Sequence, residues 1–113
     1  MRIWDLPPQK LCRNHLLGEH RELHAIWSVI TLHKKGYSRH PETLRWNGKL
    51  AALYARHELL VKEMHLRGFN HHSALDKKLA IGNKSQTAFV HSPQQQIKIL
   101  KTKKCACVYN QNK

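Results

Sequence analysis

The helical spacing of apolar residues constrains the fold of this chain more than any other feature of its sequence. In the first third of the chain, four apolar residues recur at intervals of seven, four and three, namely Leu16, Leu23, Trp27 and Ile30. These intervals place all four side chains on one face of a helix. Pro8 suits the first turn of such a helix, because a proline there gives up no hydrogen bond. We therefore predict a long first helix over residues 8–33.

Two further segments carry helix signals. A second helix is predicted over residues 42–67, with Pro41 at its start and Gly68 as its C-cap. Its inward side is formed by Leu50, Leu53, Leu60, Val61 and Met64. A third helix follows Ser92 and Pro93, which suit the N-cap and the first helical position, and it turns Ile97 and Leu100 inward.

No segment shows the two-residue period of a strand, so the sequence predicts an all-α fold of about three main helices. A length of 113 residues suits one compact domain, residues 1–113. We divide it into a helical core over about 1–76 and a basic segment over 77–113. The three tryptophans are expected in the core, and Gly18 is hypothesised to mark the close approach of another backbone.

The chain is strongly basic. It has 20 lysines and arginines against 7 acidic residues, and residues 77–113 contain eight lysines and no carboxylate. Positive charge clustered in this way is typical of a nucleic-acid-binding protein. A ribosomal or membrane-surface role remains the alternative to nucleic-acid binding.

Cysteine usage and hydropathy indicate the compartment. The three cysteines, an odd number, form no disulfide framework, and the N-terminus lacks an apolar signal core. No stretch approaches the roughly 20 apolar residues that span a bilayer. We predict a reduced, cytoplasmic protein that is nucleoid-associated when bound to DNA, with no membrane partner, and a monomer.

A small acidic spot on the first helix contrasts with this positive charge. His15, Glu19 and Glu22 follow one another at helical spacing, on a face about 100° from the apolar stripe, with Arg21 beside them. A carboxylate among cations can act as an acid or base, or can stabilise a cationic intermediate. The alternative is a salt-bridged face exposed to solvent.

Three blocks of the sequence together resemble the pyrimidine-dimer DNA glycosylases of the phage endonuclease V type. The blocks are "MRI" at the chain start, "HLLGEHRELHAIW" and "GKLAALYARHELLVKEMHLRGFN". In that family a terminal residue precedes Arg–Ile, a His and an Arg–Glu–Leu triplet follow on the first long helix, and a later helix ends in a Lys/Arg–Gly–Phe–Asn turn. The resemblance covers residues 1 to about 76.

The resemblance implies a mechanism without metal or cofactor, acting on double-stranded damaged DNA. The α-amine of the first residue attacks C1′ of the damaged nucleotide, a Schiff base forms, and β-elimination nicks the strand. Carried over by motif, the nucleophile is the amine of Met1 and the glutamate that supports the cation is Glu22. Arg2, His15 and Arg21 match positions around the amine and the DNA backbone.

Simple chemistry agrees with an amine at the chain start. The pKa of an α-amino group is ordinarily about 7.7–8.0, far below that of lysine, so a useful fraction is unprotonated near neutral pH. Met1 is expected to remain in the mature chain, because it precedes a large residue. The family's arginine one turn beyond the glutamate is replaced by Ala25, so abasic sites or another lesion stay open as preferred substrates.

Other residues are weaker candidates. Near the start of the second helix, His40, Arg45 and Lys49 are candidates for phosphate contacts, with a solvated face as the alternative. Lys77 and Lys78 are candidates for non-specific phosphate contacts. A metal site is a rival interpretation, since His20 and His24 are four residues apart and Cys105 and Cys107 form a pair. However, "HRELH" is not H-E-x-x-H, and a lone C-x-C lacks the second half of a zinc set. A non-catalytic nucleic-acid-binding protein is the second rival.

Overall fold

Four α-helices form the architecture of the residues that the structure describes. The computed structural model describes residues 3–36, 39–69 and 74–102. The helices are α1 (Arg13–Thr31), α2 (Pro41–Leu44), α3 (Leu50–Leu66) and α4 (Pro93–Lys101), with 3-10 turns at Pro8–Lys10 and Lys77–Leu79. Over these ranges the only β-type pairing is one isolated bridge between Lys49 and Gly82. The predicted all-α class is confirmed.

The predicted start of the first helix is wrong. Residues 8–10 form a 3-10 turn, Leu11 is extended, and α1 begins only at Arg13. The cause lies far along the chain: Arg67 donates to the carbonyl oxygens of Pro8 at 3.2 Å and Leu11 at 2.7 Å. Those carbonyls are thereby satisfied without a helix, and the Leu11 side chain is free to enter the core.

The predicted second helix is two helices. α2 ends after four residues, and a turn through Gly48, whose φ is +73°, leads into α3. Trp46 lies in this turn, buried, with its indole N–H donating to Glu42. The end of α3 is as predicted, because Gly68 has a φ of +83° and follows the last helical turn as a C-cap.

α4 begins with the predicted cap. Ser92 and Gln95 form a reciprocal capping box, and Pro93 occupies the first helical position. Leu100 is buried in the main core, and the Gln96 amide contacts Asp5 near the chain start. Residues well beyond 76 therefore pack against the beginning of the chain.

The core lies mainly between α1 and α3. The predicted apolar stripes are buried at Leu16, Leu23, Trp27, Leu50, Leu53, Leu60 and Met64, while Ile30 and Val61 are half-buried. All three tryptophans are buried, as expected. In the described part of the chain, no helix is long and apolar enough to cross a membrane.

Two glycines give opposite stability predictions. A Cβ at Gly18 meets no atom within 4 Å, so the hypothesis of a close backbone approach there is wrong, and Gly18→Ala should stabilise the protein by about 1 kcal/mol. Gly82 has a φ of +89°, and a Cβ there would lie 2.8 Å from the carbonyl carbon of Gly48. Gly82→Ala should cost at least about 1–2 kcal/mol. Urea unfolding measures the stability of both variants. Equal midpoint urea concentrations for Gly18→Ala and Gly82→Ala would contradict the surroundings that the structure gives to the two glycines.

Candidate active site

The N-terminal segment, residues 3–6, is held by polar side chains from three other parts of the chain. The Ile3 N–H donates to Glu42 at 3.1 Å, and the Ile3 carbonyl accepts from Arg45 at 3.0 Å. The Asp5 N–H donates to the Gln96 side chain at 2.7 Å. Backbone groups at the chain start are thus fixed by specific partners, although residues 1–2 lie outside the described ranges.

Arg45 is the centre of this anchoring network. Its guanidinium pairs with Glu42 at 2.6 Å and with Asp5 at 2.8 Å, and it also donates to the Ala88 carbonyl at 3.1 Å. The Arg45 side chain is 5% exposed. We predicted a phosphate contact for Arg45, but its donors bond to protein acceptors in the interior. Arg45 therefore has a structural role, which is to hold the N-terminal segment in place.

Glu19 and Arg56 form a second buried anchor. The two guanidinium N–H groups of Arg56 meet the two carboxylate oxygens of Glu19 at 2.6 and 3.0 Å. Arg56 also donates to the Leu6 carbonyl at 2.8 Å, and the Trp4 backbone N–H donates to Glu19. Burial raises the pKa of Glu19 to about 6, although the Arg56 charge acts in the opposite direction.

This pair yields a pH-dependent prediction. A folded-state pKa raised above 4.5 means that Glu19 favours folding below about pH 4.5, and that this contribution is lost as the pH rises through about 6. Arg56→Met removes the charge that lowers the pKa of Glu19, so the loss should grow and extend to higher pH. At pH 8 the variant should be about 3–5 kcal/mol less stable than the unaltered chain.

Urea unfolding between pH 5 and pH 8 measures this difference. Lys62→Met, an exposed change on the same helix, is the matched control and should show little pH-dependent difference. The unaltered chain and the Arg56→Met variant share every titrating group except Arg56. The pH dependence of the difference between their free energies of unfolding therefore reports on Glu19. A difference for Arg56→Met that stays constant over this range would contradict the assignment.

Glu22 differs from Glu19 in its surroundings. The prediction that both share one face outside the core is wrong for Glu19, which is 2% exposed. Glu22 is half-buried, and among the described residues it has no ion-pair or hydrogen-bond partner. A carboxylate that the fold does not use is available to a ligand or a reacting group.

Two other predicted site residues lie on the same helix as Glu22. Arg21 is exposed. His15 is half-buried: its ring meets the Trp4 ring edge-on at 5.6 Å between centroids, and its Nδ1 lies 3.1 Å from the Cys12 Sγ. His15 therefore touches the anchored N-terminal segment directly.

The remaining candidates are spread over the molecule. His40 is half-buried and caps α2 by accepting from the Glu42 N–H at 3.1 Å. Lys77 is exposed in its 3-10 turn. Met1 and Arg2 lie outside the described residues. His15, Arg21 and Glu22 thus all lie on α1, whereas Lys77 lies in the 3-10 turn Lys77–Leu79.

Sequence reasoning missed the buried polar residues of α3. Arg56 anchors the chain start, and His57, which is fully buried, faces His20 and His24 of α1. A signal existed: His57 follows Leu53 by four residues and precedes Leu60 by three, so it occupies a core position of the helix. These three histidines form a group whose geometry could hold a metal ion.

The fold and this arrangement define a small, basic helical protein in which residues 3–6 are anchored by buried polar side chains and α1 carries a carboxylate, Glu22, that is unpaired among the described residues. The sequence model of the pyrimidine dimer DNA glycosylase family matches residues 1–77. Because the match spans more than half of the chain, the protein belongs to the pyrimidine dimer DNA glycosylase family, and the resemblance seen in the sequence is confirmed. No curated protein and no solved structure matches the chain.

Proposed function

We propose that this protein excises pyrimidine dimers and then nicks the strand through an imine formed by its own N-terminal amine. The Met1 nitrogen forms a bond to C1′ as the bond from C1′ to the base breaks. The added nitrogen gives a proton to the departing base, and the C1′–O4′ bond of the sugar then breaks as O4′ takes up a proton, which leaves an iminium at C1′. The iminium acidifies the C2′ proton, and the loss of that proton expels the 3′ phosphate oxygen by β-elimination. Water then hydrolyses the imine and releases the amine. The residues of the chain suffice for these steps, and no metal or cofactor is needed.

The anchored N-terminal segment is the observation that carries this proposal. Ile3 is held by Glu42 and Arg45, and the Trp4 N–H is held by Glu19. Two residues reach at most about 7 Å, so covalent geometry keeps the Met1 amine within that distance of the Ile3 nitrogen. An amine confined to this radius searches a small volume, which lowers the entropic cost of bringing it to C1′.

The path of the segment supports a pairing of the amine with Glu22. Trp4 contacts His15 and Glu19, whereas Ile3, one residue earlier, bonds to Glu42 of α2. α2 lies by the C-terminal half of α1, since Thr43 lines a cavity with Val29 and Ile30. From Trp4 back to Ile3, the described chain therefore runs along α1 in the direction of Glu22.

Glu22 is assigned the role of stabilising the cationic intermediate and moving protons. A carboxylate close to an iminium favours it electrostatically, and it can accept the proton that β-elimination removes. Arg2 and Arg21 are assigned to the DNA backbone around the amine, with His15 beside them. Their positive charge lowers the pKa of an adjacent amine and raises the unprotonated fraction that can attack.

Access to C1′ requires distortion of the duplex. The sugar carbon is shielded in stacked DNA, so we propose that the protein binds a bent duplex with an extruded nucleotide. The whole chain acts as one domain, with the catalytic core over residues 1–76. We take the acting species to be a monomer at the nucleoid in the cytoplasm, which leaves this face open to DNA.

Borohydride trapping tests the chemistry directly. The purified chain is mixed with labelled duplexes that contain a thymine dimer, an abasic site or neither, then reduced and separated on a denaturing gel. A covalent adduct with damaged DNA alone, mapped by mass spectrometry to Met1, is the expected result, and its yield ranks the two lesions. Binding without an adduct would overturn the imine mechanism and favour a non-catalytic DNA-binding protein.

Electrostatic binding gives a salt-dependence prediction. Lysines that displace counterions make the logarithm of the binding constant fall linearly with the logarithm of the salt concentration, by about 0.9 per phosphate contacted. Lys77→Ala should reduce this slope by about 1, whereas Lys77→Arg should preserve it. Fluorescence anisotropy from low to physiological salt measures the slope. A flat affinity would contradict a binding mode based on charge.

A further inference from the structure

Three histidines from two helices converge on one point away from Glu22. His20 and His24 lie one turn apart on α1, and His57 faces them from α3. The His24 Nε2 lies 3.2 Å from the Nε2 of His20 and 3.2 Å from the Nε2 of His57. The His57 ring is fully buried, and the other two are half-buried. We propose that His20, His24 and His57 form a metal site for a divalent ion of the Zn²⁺ class, which joins α1 to α3.

The spacing of the nitrogens fits such an ion. Three imidazole nitrogens bound tetrahedrally to Zn²⁺ at about 2.0–2.1 Å stand roughly 3.4 Å apart. Two of the three separations here are 3.2 Å, and all three ligand atoms lie within 4.8 Å of one another. The third pair thus has to close by no more than about 1.4 Å. Half-buried His20 can supply that small movement by a change of side-chain rotation.

The arrangement of ring protons and lone pairs in the three histidines also favours a bound metal cation. The His57 Nδ1 lies 2.8 Å from Glu58 Oε2, so its N–H donates to the carboxylate and its Nε2 presents a lone pair towards His24. A single His24 Nε2 carries either one proton or one lone pair, yet it faces two other Nε2 atoms. A metal ion binds one lone pair from each of the three rings at once, whereas a single proton on the His24 Nε2 would have to be shared between two neighbours.

Glu58 completes an arrangement that is common at metal centres. A histidine ligand usually donates its second ring N–H to a carboxylate, which fixes the tautomer and the orientation of the ring. Glu58 is in this position relative to His57. Imidazole ligands suit Zn²⁺, Co²⁺, Ni²⁺ and Cu²⁺, and three of them leave a fourth position open to water.

The position of the cluster assigns it a stabilising role that is independent of the proposed reaction. At 3.6 residues per turn, His24 points roughly 160° away from Glu22 around α1. An ion there lies on the opposite flank of the helix from the proposed catalytic carboxylate. Because α1 and α3 form the main packing pair, an ion bound only in the folded state raises stability.

Metal binding is tested on the untagged full chain after treatment with a chelator. Titration with Co²⁺ should give the visible absorption of four-coordinate cobalt at one equivalent, and excess Zn²⁺ should abolish it. Saturating Zn²⁺ should raise Tm by about 5 °C or more. His20→Gln and His24→Gln should each weaken binding at least tenfold, while His65→Gln, exposed on α3, should not change it.

Two results would overturn the proposal. One-equivalent binding that is unchanged in both His20→Gln and His24→Gln would move the ion to another place in the chain. A Tm that does not respond to Zn²⁺ would mean that the three histidines pack as hydrogen-bonded side chains of the core and hold no stabilising ion. Strand nicking should persist in chelator. Loss of nicking in chelator with an unaltered Tm would contradict the stabilising role of the ion. That result would leave the borohydride test of the imine unaffected.

Discussion

Replacing Glu22 with glutamine is expected to reduce dimer excision and strand nicking by at least about 100-fold, with Tm unchanged within about 2 °C. The amide keeps the size of the side chain but removes the negative charge that stabilises the iminium and the oxygen that accepts a proton. Tm should be preserved, because Glu22 has no ion-pair or hydrogen-bond partner among the described residues.

Single-turnover kinetics with a thymine-dimer duplex and with an abasic duplex measure the two steps separately. Glu63→Gln is the matched control, because it makes the same change in net charge and so has the same effect on non-specific attraction to DNA. It replaces the ion pair with Arg67 on α3, worth about 0.5 kcal/mol, by a neutral hydrogen bond, since the amide oxygen of glutamine can still accept from Arg67. Arg67 should therefore keep its bonds to Pro8 and Leu11. Full activity of Glu22→Gln in both assays would remove Glu22 from the mechanism.

The comparison of Glu22 with Glu19 sharpens this test. Glu19→Gln makes the same chemical change three residues earlier on the same helix. It places an amide against Arg56 in a buried site, and we expect it to lower stability, because one Arg56 donor then faces an N–H group. We expect Glu22→Gln to lose activity at constant Tm and Glu19→Gln to have a lower Tm. This pair of results would separate a catalytic role for Glu22 from a structural role for Glu19.

Replacing Arg45 with methionine is expected to destabilise the folded protein severely. Glu42 is 4% exposed, and both Glu42 and Asp5 would lose the cation that balances them. Removing one partner of a buried pair costs about 3–5 kcal/mol. For a domain of about this size, that corresponds to a fall in Tm of roughly 15 °C or more.

Replacing Arg45 with methionine should also slow imine formation at temperatures where the variant is still folded. The Ile3 carbonyl would lose its donor, so the chain start would be less firmly held beside α1. We expect borohydride trapping at 10 °C to fall at least fivefold, although circular dichroism at that temperature reports a folded protein. Arg39→Met, an exposed change with the same loss of charge, should retain both Tm and trapping.

A triple change distinguishes the ion pairs from simple packing. Replacing Asp5 with asparagine, Glu42 with glutamine and Arg45 with methionine removes all three charges together. It should be more stable than Arg45→Met alone, because no uncompensated charge remains in the interior. Equal stability of the two proteins would mean that the Arg45 side chain contributes by its volume and not by its charge.

Local signals in the sequence predicted much of the fold correctly. The apolar stripes of α1 and α3, the glycine C-cap at Gly68 and the capping box at Ser92 all depend on residues within one or two turns of one another. The helix limits at the N-terminal end were wrong, because Arg67 satisfies the carbonyls of Pro8 and Leu11 from more than fifty residues away. The spacing of apolar residues along the sequence contains no information about a contact between such distant residues.

The candidate site divides in the same way. Motif order in the sequence was enough to indicate the family. The choice of Glu22 and of the amine of the first residue rests on the same motifs and stays a prediction. The distinction between Glu19 and Glu22 came only from tertiary structure. Both are glutamates on one helix, and only the arrival of Arg56 from α3 makes one of them a buried anchor.

By itself, the sequence determined the helical class, the strong positive charge and the family, since each depends on residue type and on short-range spacing. Tertiary structure alone decided that Arg45 is interior, that the chain start is anchored, and that His57 meets His20 and His24. The physical reason is that burial and ion pairing depend on which distant segments pack together. That packing brings Arg45 to Asp5, forty positions apart, and His57 to His24, thirty-three positions apart.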